Sequence, residues 1–184
     1  AKIFAALMEK LGVYWTVTLG NHDSEIYSYY NREKVSDFYS ESDFKYCLYQ
    51  PGPEDVDGYG NCTINILNSD GTLREVFFLM DSGDYMTEES KKEYGVTKDG
   101  EVYDGVKTSQ VNWYKEKHDE IEAEYGEFKS VTVIHIPHFT RSINDKGFSV
   151  LYLHYRGAYC VTADFNYFHI FNRNKSIIPL ASRL

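Results

Sequence analysis

The 184-residue chain is 42% hydrophobic and 26% charged, ordinary proportions for one domain able to bury a substantial core. Its net charge of −9 argues against a nucleic-acid surface, which needs a basic stripe. No apolar run approaches the roughly 18–20 residues of a membrane span, and no cleavable signal sequence is visible.

The segment A-K-I-F-A-A-L-M-E-K-L-G (1–12) reads as a helix already under way and ending at Gly12. Ala1 is not a natural start, so a preceding section is expected. Val13 to Leu19 has the β-branched and aromatic content of a strand buried on both faces, as in a parallel sheet. Helix, loop and strand together are half of a βαβ unit and predict an α/β domain. Residues 24–50 are polar, tyrosine-rich and partly helical. P-G-P at 51–53 and D-G at 57–58 mark a loop. N-C-T-I-N-I-L (61–67), the turn residues N-S-D-G (68–71) and L-R-E-V-F-F-L-M-D (73–81) predict a β-hairpin. After a glycine-punctuated excursion over 82–107, residues 110–125 have helical spacing, with Val111, Tyr114, His118 and Ile121 on one face. S-V-T-V-I-H-I (130–136) reads as a buried strand stopped by Pro137. Further strands are expected within 148–162 and 166–172.

Cys47, Cys62 and Cys160 form no C-x-x-C pair and no even-numbered framework, so they read as reduced, buried thiols. They lean the expected location towards the reducing cytoplasm. Charge is uneven along the chain. Residues 1–139 hold 13 Lys+Arg against 26 Asp+Glu, whereas 140–184 hold 6 against 2. The reversal suggests a boundary near residue 139.

In open α/β sheets, sites form beyond the carboxyl ends of strands. Two strands here end in residues with useful chemistry: Gly20-Asn21-His22-Asp23 and His135-Ile136-Pro137. Gly20 lets the backbone turn and approach a bound group closely. Asn21 offers a neutral amide oxygen, and His22 an imidazole able to ligate metal or donate a proton near neutral pH. Asp23 is placed to fix the tautomer of His22 from behind. Alone, these four residues also suit a simple turn, and a lone strand-end histidine such as His135 is commonly just hydrogen-bonded.

Taken in order, V-T-L-G-N-H-D (17–23), G-N-C-T-I-N-I (60–66), F-F-L-M-D-S-G-D-Y (77–85), Y-D-G-V-K-T-S-Q-V-N-W-Y (103–114) and V-I-H-I-P (133–137) resemble the calcineurin-like metallophosphoesterases, in their purple acid phosphatase-like branch. The resemblance covers residues 1–139. It implies a four-layer α/β/β/α sandwich with mixed sheets and two divalent cations (Mn, Fe or Zn) at the strand ends. It also implies hydrolysis of phosphate mono- or diesters by metal-activated hydroxide. By position it makes Asn21 and His135 metal ligands and His22 the acid that protonates the leaving group. Asp81 at most supports the ligands from behind, and Gln110 and Trp113 read as architecture.

The family's upstream D-x-H and G-D blocks have no counterpart before Tyr14, and none of His138, His154 and His169 lies in a G-H-x-H block. Residues 1–139 are therefore expected to form a partial metallophosphoesterase domain without its first strands. Residues 140–184 are expected to be a divergent ending packed on the same domain. Two cations bring a charge of +4, neutralised in such sites mainly by carboxylates. A chain offering an amide and an imidazole is not expected to hold both cations or to act alone. The alternative is a binding or assembly module using an aromatic-rich surface, with 17 Tyr and 11 Phe. An exposed sheet edge would favour homo-oligomers.

Overall fold

A computed structural model describes residues 1–25, 28–41 and 43–136, and beyond them the backbone of short strands between 139 and 179. Helix α1 (Lys2–Leu11) ends as expected at Gly12, whose φ of 67° is the left-handed conformation that glycine adopts without strain. Its N–H returns to the carbonyls of Met8 and Glu9. A 3-10 turn (Asn21–Ser24) and helix α2 (Arg32–Glu41) follow.

Strands β1 (Cys62–Leu67) and β2 (Leu73–Leu79) form the expected antiparallel hairpin. Helices α3 (Glu88–Glu93) and α4 (Thr108–Tyr125) then lead to β3 (Ser130–Ile134), which runs parallel to β2. Two short strands, β4 (Phe139–Thr140) and β5 (Ser149–Val150), pair with each other. β6 (Ala158–Asp164) adds parallel to β3, and β7 (Tyr167–Phe171) and β8 (Ile177–Pro179) extend the sheet antiparallel. The product is a mixed six-stranded sheet in the order β1-β2-β3-β6-β7-β8. The protein is therefore mixed α/β, with β1 at one edge of the sheet. His138, His154 and the side chain of His169 lie outside the described residues. No helix among the described residues is long and apolar enough to cross a membrane.

The strand expected at Val13–Leu19 does not form. Among the described residues the segment makes one bridge, between Trp15 and Cys47, with Trp15 N donating to Tyr46 O at 3.0 Å and Leu48 N donating to Trp15 O at 2.8 Å. A ladder needs an extended neighbour along its whole length, and the chain around residue 46 bends instead. Further along, the carbonyls of Leu19 and Gly20 are occupied by the Arg32 guanidinium, at 3.2 and 2.9 Å. Side chains rather than a ladder hold the segment in place.

Two cores result. On one face of the sheet, Val76, Phe78 and Met80 of the β2 strip and Ile134 of β3 meet Trp113, Tyr114 and Ile121 of α4. The Phe78 ring lies 4.5 Å from that of Tyr114. The second core gathers Ala5 of α1, Trp15, Leu19, Val35 and Tyr39 of α2, and Tyr49.

That second core is expected to make the protein sensitive to alkali. Burial, reinforced by nearby acidic groups, pushes Tyr39 and Tyr49 up from 10.0 to about 12. Between those pH values the unfolded chain has lost tyrosine protons that the native chain keeps, so stability falls as pH rises. Each shift of two units corresponds to about 2–3 kcal/mol. Urea unfolding midpoints are expected to drop between pH 10 and 12, and less so in Tyr39→Phe. A midpoint that holds steady to pH 12 would contradict this.

Candidate active site

β2 and β3 are parallel, with Leu79 opposite Val133. Extending that register by two residues sets Asp81 beside His135 at the carboxyl ends of neighbouring strands. This is where an open α/β sheet places its crevice. Ile134 belongs to the α4-side core, so by alternation His135 leaves the opposite face. Its Nε2 lies 2.7 Å from Asn21 Oδ1.

Gly20 makes that approach possible. A Cβ at this position would sit 3.2 Å from three atoms of the His135 ring. Its φ of −96° is available to any residue, so glycine serves here for space: a Cβ would press the His135 ring back by a few tenths of an ångström.

Asn21 is 4% exposed, whereas the His22 side chain projects into solvent at 70% exposure. Asp23 was expected to orient His22, but it closes the turn instead: its Oδ2 accepts from Gly20 N at 2.7 Å. The carboxylate against His22 Nδ1 is that of Glu25, one helical turn along. A side chain three residues on reaches back over its own turn more readily than the adjacent one does.

Asp81 is wholly buried and ion-paired with Arg32, the first residue of α2. Arg32 Nε donates to Asp81 Oδ2 at 2.8 Å, and Nη2 donates to Oδ1. The remaining donors hold Gly20 O at 2.9 Å and Leu19 O, Ser24 Oγ and Gly83 O at 3.2 Å each. Burial alone would lower the guanidinium pKa. The hydrogen bond and charge of Asp81, then the charges of Asp84 and Asp23, outweigh it and raise the pKa. Asp81 also accepts from Tyr59 N and Gly83 N, both at 2.9 Å. Arg32 and Asp81 thus fasten the Asn21 turn to the end of β2.

Behind them, Gln110 Nε2 donates to Asn61 Oδ1 at 2.8 Å and to Asp81 O at 2.7 Å. Trp113 lies in the α4-side core. Ser82 Oγ accepts from Ile136 N at 2.7 Å, which secures the chain just after His135. Sequence reasoning missed Arg32, Glu25, Ser82 and Tyr85, whose hydroxyl lies 3.4 Å from Asn21 Nδ2. Each acts through a partner distant in sequence or lies in an irregular turn, where no periodicity marks it.

The resemblance implies two cations, and the donor set tests that implication. Two donors 2.7 Å apart, each about 2.1 Å from one ion, subtend about 80°, close to the right angle between adjacent octahedral positions. Asn21 Oδ1 and His135 Nε2 therefore suit two positions on a single cation. Asp81 is committed to Arg32 and Asp23 to Gly20, so neither supplies the bridging carboxylate of a dinuclear centre. Among the described residues, those gathered here do not fit a complete two-metal site. A separate group on α4, His118, Asp119 and Glu122, brings its donor atoms within 4.8 Å of one another. Exposed acidic groups of this kind are common without a metal.

Comparison with known proteins agrees with the family read from the strand-end blocks. The chain is 31% identical over 120 residues to "Probable inactive purple acid phosphatase 28" of Arabidopsis thaliana, covering 57% of this chain and 27% of that protein. It is 31% identical over 138 residues to "Probable inactive purple acid phosphatase 14" of the same plant, covering 66% of this chain and 30% of that protein. The chain is thus related to the purple acid phosphatase-like metallophosphoesterases, and it spans less than a third of the length of these relatives. No protein-family model and no solved structure matches it.

Proposed function

We propose that the chain carries the substrate-side corner of a metal-dependent phosphoesterase acting on phosphate mono- or diesters. In this reading its fold is part of a four-layer α/β/β/α sandwich, and it does not complete the reaction by itself. The observation that carries the reading is the convergence of Asn21 Oδ1 and His135 Nε2 at 2.7 Å, with exposed His22 on the next residue. Asn21 Oδ1 offers a lone pair to a cation, and His135 Nε2 offers one once its proton has moved to Nδ1; exposed His22 can meet a substrate and give a proton to its leaving oxygen. Divalent cations (Mn, Fe or Zn) contribute water activation and charge neutralisation to such chemistry. The two relatives are named as probably inactive, which supports reading this chain as inactive alone.

Turnover of a simple aryl phosphate monoester with added Mn²⁺ or Zn²⁺ tests this. The chain alone is expected to show none. Sustained metal-dependent turnover that disappears in His22→Ala would overturn the inactivity while keeping the chemistry.

A second reading, a binding or assembly module, draws on exposed apolar residues around α1: Ile3, Leu7 and Leu11 recur at helical spacing, with Tyr14 just beyond. Affinity for a glycan or protein partner without hydrolysis would favour it. The uncharged β1 edge, T-I-N-I-L, suits self-association by edge pairing. Sedimentation of a strict monomer at high concentration would count against that.

A further inference from the structure

Tyr85 stands where the excursion after β2 meets the Asn21 turn, and its own loop holds it there. Its ring stacks on Tyr103 with centroids 5.3 Å apart and planes 22° from parallel. The two backbones form an antiparallel bridge, flanked by hydrogen bonds from Met86 N to Val102 O at 2.8 Å and from Asp104 N to Asp84 O at 3.1 Å. Ser24 Oγ donates to Asp84 Oδ2 at 3.1 Å, tying this loop to the far end of the Asn21 turn. The Tyr85 hydroxyl is therefore a fixed point against which the Asn21 amide must settle.

An amide has two unlike ends. The oxygen only accepts and the nitrogen only donates, and in a residue 4% exposed both need protein partners. At one end of Asn21, Oδ1 faces His135 Nε2 at 2.7 Å. At the other, Nδ2 faces the Tyr85 hydroxyl at 3.4 Å. In this orientation each end of the amide meets a group of matching capacity, the Tyr85 oxygen as acceptor for Nδ2 and the His135 ring nitrogen as donor to Oδ1. The flipped amide would instead turn Nδ2 on His135, and that histidine would have to give up its Nε2 proton to accept.

We propose that Tyr85 is a positioning residue: by accepting from Asn21 Nδ2 it presents the amide oxygen to His135 and to whatever the pair holds. Tyr103 braces it. The value of that oxygen to phosphoester chemistry rests on the function proposed above, but the orientation itself does not.

NMR of the full chain tests this without any activity. In the unaltered protein, the Asn21 Nδ2 protons are expected to show cross-peaks to the Tyr85 ring, and the ring nitrogen shifts of His135 to report the Nε2–H tautomer. Tyr85→Phe keeps the ring and its stack but removes the acceptor. It should bring cross-peaks from Asn21 Nδ2 to His135 and draw His135 towards the Nδ1–H tautomer, while the thermal midpoint barely moves. Tyr103→Phe should change neither signal. An unchanged Asn21 pattern and His135 tautomer in Tyr85→Phe would overturn the proposal. Should that variant loosen the loop, the unaltered protein decides alone, since Asn21 Nδ2 cross-peaks to His135 instead of Tyr85 would also overturn it. Absence of phosphoesterase chemistry would leave these signals as they are, so the two failures are distinguishable.

Discussion

Asp81→Ala is expected to destabilise the protein by about 3–5 kcal/mol, the usual cost of leaving one member of a buried ion pair without its partner. The Asp81 side chain has no solvent exposure, and that of Arg32 is 13% exposed. Without the carboxylate, Arg32 keeps its charge and retains only neutral oxygens, the carbonyls of Leu19, Gly20 and Gly83 and the Ser24 hydroxyl. The N–H groups of Tyr59 and Gly83 lose their acceptor at the same time. Asp81→Asn should cost less, since it preserves some of these bonds while removing the charge. Urea unfolding of the three proteins measures the order. A loss below 1 kcal/mol for the alanine variant would show that the pair does not fasten the turn to the strand.

Trp15→Ala is expected to cost a comparable amount, about 3–5 kcal/mol, the range for removing a large buried aromatic side chain. Trp15 packs edge-on against Phe4, Tyr39 and Phe44, at centroid distances of 5.6, 6.0 and 5.6 Å. Its Nε1 donates to Glu9 Oε1 at 2.8 Å, and the same carboxylate accepts from Lys45 N and Tyr46 N. Because Val13–Leu19 lacks a ladder, this cluster does the work that strand pairing would otherwise do. The variant should therefore also loosen the contact between Asn21 and His135, visible as broadened His135 ring signals. Trp15→Phe should restore most of the stability. Unfolding midpoints that match the unaltered protein would contradict the account of this segment.

The same segment explains what was legible in the sequence and what was not. The β1–β2 hairpin was readable because alternation and turn residues are local signals. Helix α4 was readable because its buried positions recur at helical spacing. A β-branched and aromatic run, in contrast, reads alike for a strand in a ladder and for an extended stretch pinned by its side chains. The neighbour it meets lies some thirty residues away, where the chain bends near Tyr46. The site divides similarly. Asn21 and His135 stand at ends of apolar runs, and their order among the other blocks marks them. Arg32 leaves no such trace, since its partner Asp81 lies 49 residues on and its other partners are backbone oxygens. Tyr85, 64 residues from Asn21, is equally silent. Asp23 adjoins His22 in sequence, and the turn directs one of its carboxylate oxygens to Gly20 N, a contact that adjacency does not reveal.

In the proposed function Asn21 and His135 are two ligands for one cation and fall short of a dinuclear centre. Paramagnetic broadening on titration with Mn²⁺ tests it most directly. Asn21 and His135 resonances are expected to broaden first, with at most one ion per chain at that place and the effect lost in His135→Ala. Two tightly held ions at these residues, or broadening that spares both of them, would contradict it.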